Sequence, residues 1–208
     1  NEYWLRDYSL YMAVKGHFGQ KEWALWDEDI RYRKAKAAAK YTKLLAQEID
    51  FWEFCQFKFR EQWDKVKRYA NEAGIQIIGD IPLYVSEDSS DVWVHGELFE
   101  LDERKKPINV AGVPPDLFSS DGQRWGNPLY RWDVMEKKDF KWGRERMRMS
   151  AQLYDIIRID HFIGVVNYYS IPASCRTAVE GCWKPGPGKK LTDAIKESIG
   201  NARINAED

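Results

Sequence analysis

The 208 residues contain three cysteines, Cys55, Cys175 and Cys182. An odd and sparse count gives no disulfide framework and suits a reducing cytoplasm. Cys175 and Cys182 have no histidine or second cysteine pair at ligand spacing, so no metal site is expected there. Net charge is almost absent as well: 32 Lys+Arg against 33 Asp+Glu leave -1. That balance removes any general electrostatic case for nucleic acid or an anionic membrane. No apolar run reaches the roughly 18 residues of a membrane-spanning helix. No signal peptide is expected within these residues, and no internal repeat or low-complexity tract is found.

What is abundant is the aromatic ring. With 10 Trp, 11 Tyr and 9 Phe, aromatics make up 14% of the chain, against about 8% in average proteins. The 44% hydrophobic content suffices for a core and excludes disorder. Ten tryptophans exceed what a core alone needs. Rings that line a cleft for flat-faced ligands use the surplus.

Apolar spacings of three and four predict a helix over 2–18, closed by Gly19. Residues 31–42 are basic and alanine-rich, a solvated helix or connection. A long helix is predicted over 44–73 from the helical spacing of Leu45, Ile49, Trp52, Cys55, Phe59, Trp63, Val66 and Tyr69. Gly74 caps it. Ile75 to Asp80 then reads as a buried strand ending in a carboxylate. Residues 81–140 have little pattern and many prolines, as functional excursions do. A helix over 141–153 has Trp142, Met149 and Leu153 inward. It precedes a second buried strand, Ile156 to Asp160. Another loop-rich excursion covers 165–190, a helix 191–200, and Ile204 to Glu207 begin a third strand.

Three predicted strands thus end in acids: Asp80, Asp160 and Glu207. In parallel α/β folds, and in (β/α)8 barrels especially, such strand ends line one face and hold the site. Any one acid is as often a helix N-cap. Three in one aromatic-rich chain shift the weight to chemistry. Carboxylates with aromatics suit sugar: glycosidic cleavage needs one ionised and one protonated acid, and rings stack on pyranose faces.

Four ordered motifs then resemble the 4-α-glucanotransferases of glycoside hydrolase family 77, the amylomaltases, in the α-amylase superfamily. They are Gly79 to Val85 with Asp88 to Trp93; Val110 to Asp116 with Gly122 to Tyr130; Tyr154 to Gly164, containing Ile157-Arg158-Ile159-Asp160-His161-Phe162; and Ala206-Glu207-Asp208. The resemblance runs essentially end to end. It implies an α/β fold, here part of a (β/α)8 TIM barrel covering about its third to fifth strands, with long βα loop insertions. It also implies transfer of α-1,4-glucan segments between maltooligosaccharide or starch-derived donors and acceptors, through a covalent glucosyl-enzyme and without cofactor or metal. No calcium cage of oxygen ligands is seen.

Residue by residue, the resemblance implies Asp160 as nucleophile and Glu207 as general acid, then base. Arg158 keeps the nucleophile ionised. Asp80 and His161 bind sugar hydroxyls. Asp116, Leu117, Phe118, Gln123 and Trp125 lie on a loop over the acceptor side. Trp125 has a structural alternative, wedging that loop against the barrel. His161 has one too, bonding loop backbone. Ile163, Tyr169 and Leu117 depart from the usual Arg, Trp and Tyr, and Leu117 lacks a stacking ring. Gly186-Pro187-Gly188-Lys189-Lys190 superficially suggests a phosphate loop but lacks its other positions.

A (β/α)8 barrel takes about 250 residues, and only three strand signals are present. Residues 1–208 are therefore expected to be an internal part of one catalytic barrel domain, truncated at both ends and inactive alone. Rival readings are an α-glucan hydrolase of the same superfamily, a non-catalytic α-glucan-binding protein, and a single-stranded nucleic-acid binder. The charge balance opposes the last.

Overall fold

Apolar side chains recurring every three or four residues wind the start of the chain into α1, Leu5–His17, which buries Leu10, Tyr11, Ala13 and Val14. In the computed structural model, which describes residues 3–207, short α2 (Glu28–Arg31) and α3 (Ala35–Leu44) follow. The 27-residue α4, Ala46–Glu72, comes next. Asn1, Glu2 and Asp208 lie outside the described residues, and with them the first residue of the predicted opening helix and the last of the fourth motif.

The predicted long helix is present, and its apolar stripe is only partly covered. Leu45 and Ile49 are buried, and Trp52, Cys55 and Trp63 are half-buried, with the Trp63 indole donating to the Leu153 carbonyl. Phe59, Val66 and Tyr69 are exposed. Among the described residues α4 packs on α1, α3 and α7 (Lys141–Leu153), which do not cover the whole stripe. Gly74, at φ 78°, ends the helix in the left-handed region that glycine favours.

β1 runs Ile78–Pro82, later than predicted, so Asp80 sits at its centre rather than its end. Gly79 and Ile81 face inward and Ile78, Asp80 and Pro82 outward. β4 (Ile156–Asp160) and β7 (Arg203–Ala206) complete a three-stranded parallel sheet of order β1-β4-β7. Its register pairs Asp80 with Arg158, Pro82 with Asp160, and Arg158 with Asn205. One face is sealed: Ile81, Ile157 and Ile159 join a core with Met147 of α7 and Leu191 and Ile195 of α8 (Lys189–Ser198). Met147, not Met149, is the buried methionine of α7. The other face is open and carries the polar side chains.

The two stretches predicted as loops hold more order than their composition suggests. Residues 81–140 supply α5 (Ser90–Val94), β2 (Asn109–Val113), β3 (Gln123–Pro128) and α6 (Trp132–Lys137). Residues 165–190 supply β5 (Asn167–Pro172) and β6 (Cys182–Pro185). These strands form an antiparallel sheet of order β3-β2-β5-β6. Glycine and proline within β2 and β3 hide them from a strand pattern. At Gly112 a Cβ would stand 2.1 Å from the Gln123 carbonyl oxygen, so close pairing of β2 and β3 requires glycine.

The loop after β1 is pinned to the helices through Asp88. Its carboxylate accepts from the Tyr11 hydroxyl, the Lys15 ammonium and the Trp23 amide. Burial pushes its pKa up, but these donors outweigh burial and hold it below the ordinary value. Asp88→Ala is expected to cost about 2–4 kcal/mol, because it strands three partly buried donors. A carboxylate with a depressed folded pKa stabilises above its unfolded pKa, about 3.9, and loses that contribution as pH falls through the folded value. Urea unfolding of the whole protein should therefore show the wild-type advantage narrowing below about pH 4. A pH-independent gap would contradict the assignment.

No helix among the described residues is long and apolar enough to cross a membrane.

Candidate active site

Alternation along parallel strands puts paired residues on the same face, so Asp80, Arg158 and Asn205 form one row on the open face of the sheet. Asp160 and Glu207 stand two residues further along their strands, at the C-terminal edge. The Arg158 guanidinium gathers all three acids. Nη1 donates to Asp80 Oδ1 at 2.6 Å, and Nη2 lies 3.3 Å from Asp160 Oδ1 and 3.2 Å from Glu207 Oε2. The hydrogen bond to Asp80 and the charges of Asp80, Glu207 and Asp160 push the Arg158 pKa above its ordinary value.

Because one nitrogen reaches both Asp160 and Glu207, those two oxygens are at most about 6.5 Å apart, the lower limit for inverting glycosidases. Retaining enzymes hold their acids about 5–5.5 Å apart. Backbone bonds fix both strand ends. The Leu83 amide donates to the Asp160 carbonyl, the Glu207 amide to the Ile159 carbonyl, and the Phe162 amide to the Glu207 carbonyl.

His161 turns the chain sharply, at φ 57° and ψ 48°. This turn aims its backbone amide at Glu207 Oε2, 3.4 Å away. Gly164 completes it, since a Cβ there would stand 2.5 Å from Leu83 Cδ2 and 3.2 Å from His161 Cδ2. The His161 ring meets Trp125 edge-on at 4.8 Å. Trp125 is 39% exposed, and its indole donates to Gln123 Oε1 at 3.0 Å. Asp80, Arg158, Asp160, His161, Glu207, Trp125 and Gln123 thus form one connected wall.

Asp116, Leu117 and Phe118 are not part of it. Asp116 closes a turn by accepting from the Phe118 and Ser119 amides, and Leu117 and Phe118 project fully into solvent. Two wall residues escaped sequence reading. Tyr84 is buried, stacked on Tyr130 at 5.7 Å and tilted against both Trp125 and His161. Its signal was the aromatic placed just beyond β1. Asn205 shares the Arg158 row, a position that alternation before Glu207 could have shown. The glycine pair predicted not to bind phosphate lies elsewhere, with Gly188 at the N-terminus of α8.

The chain is similar over its whole length to known proteins. The chain is 49% identical to a 4-alpha-glucanotransferase of Thermus thermophilus over 206 residues, covering 99% of this chain and 41% of that protein. It is 47% identical to one of Clostridium butyricum, with 99% and 42% covered. Amylomaltase from Streptococcus agalactiae, solved in complex with acarbose, superposes with a TM-score of 0.94 at 46% identity, over 99% of this chain and 42% of that one. The chain therefore spans about two-fifths of the length of the relatives it matches. The family model described as 4-alpha-glucanotransferase matches residues 1–208, and the chain belongs to that family, glycoside hydrolase 77.

Proposed function

We propose that this chain is the internal part of a 4-alpha-glucanotransferase, spanning about the third to fifth strands of a (β/α)8 barrel within one catalytic domain. The parallel order β1-β4-β7, with helices on one face and the acids on the other, supports that placement. The whole enzyme moves α-1,4-glucan segments from maltooligosaccharide or starch-derived donors to glucan acceptors. The free thiols Cys55, Cys175 and Cys182 agree with action in a reducing cytoplasm.

The observation that carries this reading is the single guanidinium of Arg158 joined to Asp80, Asp160 and Glu207. In the proposed mechanism Asp160 attacks the anomeric carbon while Glu207 protonates the leaving glycosidic oxygen. A covalent glucosyl-enzyme forms and the shortened glucan departs. Glu207, now a carboxylate, then takes the proton from an acceptor 4-hydroxyl, which displaces Asp160 with net retention. Arg158 fixes both carboxylates. Asp80 and His161 hold sugar hydroxyls. Trp125 offers a ring face to the acceptor, with Gln123 orienting its indole. Asp116, Leu117 and Phe118, on the proline-containing loop 114–122 that joins β2 to β3, cover the acceptor side when substrate is present and keep water from the intermediate. The acids perform the nucleophilic and proton-transfer steps without a cofactor.

Product analysis tests the reaction type. Maltotriose incubated with the whole enzyme should give glucose and longer glucans with little net gain of reducing ends. A steady rise in reducing ends without longer products would make the protein a hydrolase. Binding without turnover would make it a glucan-binding protein.

A further inference from the structure

Trp125 has a second neighbourhood. Besides meeting His161, it lines a recess of about 240 Å³ with Asn127, Ser86, Glu87, Glu22 and Trp23. The recess lies on the catalytic face, because Ser86 and Glu87 belong to the loop leaving the C-terminal end of β1. Its walls are fixed. The Trp23 indole donates to the Glu87 carbonyl at 2.7 Å, the Trp23 amide to Asp88 at 3.2 Å, and the Asn127 amide group to the Val85 carbonyl at 2.9 Å.

Two groups in these walls have no structural employment. Asp88 is occupied by Lys15, Tyr11 and Trp23, yet the Glu22 and Glu87 carboxylates make no hydrogen bond or ion pair among the described residues. Glu87 is half-buried, and burial followed by the Glu22 charge pushes its pKa up, against the pull of Lys106 and Arg124. Partial desolvation of an unpaired carboxylate beside a second one costs stability and returns nothing within the fold. Such a cost points to a ligand that supplies hydrogen-bond donors.

A metal is not that ligand, because no group of three or more His, Cys, Asp or Glu among the described residues is arranged to hold one. Acceptor-only oxygens next to an exposed indole suit a neutral polyol, whose hydroxyls donate and whose ring carbons pack on the aromatic face.

We propose that this recess is an outlying acceptor subsite, in which Glu22 and Glu87 accept hydroxyl hydrogen bonds from a glucosyl unit of an α-1,4-glucan lying beyond Trp125. The proposal rests on the transglycosylase reading and adds a preference for longer acceptors. A short acceptor such as glucose ends before the recess. A maltooligosaccharide extends into it.

The test compares acceptor KM for glucose and for S-linked thiomaltotriose, whose bonds cannot be cleaved as a donor's, at a fixed concentration of α-maltosyl fluoride as donor. It uses the whole enzyme, Glu22→Ala/Glu87→Ala and Glu22→Gln/Glu87→Gln. The ratio of the thiomaltotriose KM to the glucose KM should rise about tenfold in the alanine pair, the loss of a charge-assisted hydrogen bond. It should rise less in the glutamine pair, which keeps an acceptor oxygen. The glutamine pair removes a like-charge contact, so its melting temperature should equal or exceed the wild-type value. An unchanged ratio in that folded variant overturns the subsite and leaves the transfer reading standing. Absence of any transfer by the wild-type enzyme overturns both.

Discussion

Asp160→Asn in the whole enzyme should lower transfer activity by at least about a thousandfold, or roughly 4 kcal/mol of barrier at 1.36 kcal/mol per decade. Asparagine has nearly the volume of aspartate and keeps an oxygen for the Arg158 guanidinium, which lies 3.3 Å from Asp160 Oδ1. The backbone contact from the Leu83 amide to the carbonyl of residue 160 is untouched. Folding and ligand binding should therefore survive, and the melting temperature should stay close to wild type. Chemistry should not survive. A neutral amide oxygen is a far weaker nucleophile than a carboxylate and cannot form the acylal linkage of a glucosyl-enzyme. Turnover within tenfold of wild type would refute the assignment of Asp160.

Glu207→Gln should separate two steps that the natural substrate conceals. A glucan leaving group needs a proton, so turnover of maltotriose should fall about 10²–10⁴-fold, the range for loss of general acid–base catalysis. An α-maltosyl fluoride donor needs no such proton, because fluoride leaves unassisted. Its first step should therefore remain fast in the variant, with Asp160 displacing fluoride. The second step should stall, since glutamine cannot take the proton of an acceptor hydroxyl. A burst of fluoride followed by a slow steady state is the expected kinetic trace. Glutamine keeps the oxygen that faces the His161 amide and Arg158, so the variant should hold its local geometry. Equal losses on maltotriose and maltosyl fluoride, without a burst, would mean that Glu207 is a binding or structural residue.

The convergence of the acids is more legible in the sequence than the architecture around it. Ile156 to Asp160 is a five-residue alternating run beside a helix, and strand and acid appear where the pattern puts them. Glu207 follows β7 directly for the same reason. Asp80 lies at the centre of β1 rather than at its end, because Ile75, Ile77 and Ile78 draw the apolar pattern forward, whereas pairing with β4 starts only at Ile78. The antiparallel sheet was missed because Gly112, Gly126 and Pro128 break the signal that short strands give. Its pairing is settled by tertiary contact with β5 rather than by local preference. The exposed Phe59, Val66 and Tyr69 of α4 illustrate the converse limit. Periodicity identifies an apolar stripe and cannot name what lies against it.

The aromatic surplus has two destinations. Trp23, Trp26 and Trp93 are nearly fully buried, and Tyr11, Trp26 and Trp93 pack ring against ring. These rings hold the helices that carry the loop after β1. Trp125 instead remains exposed beside His161, with Tyr84 and Tyr130 stacked behind it. Composition reported the excess. Only the placement of each ring separates those that pack the core from Trp125, which stays exposed beside the acids.

The most direct measurement is mass spectrometry of the Glu207→Gln enzyme, quenched during turnover of α-maltosyl fluoride and digested. A maltosyl increment on the peptide containing Asp160, absent in the Asp160→Asn/Glu207→Gln double variant, is the expected result. An unmodified Asp160 peptide during steady fluoride release, or an adduct on another residue, would contradict a covalent mechanism centred on Asp160.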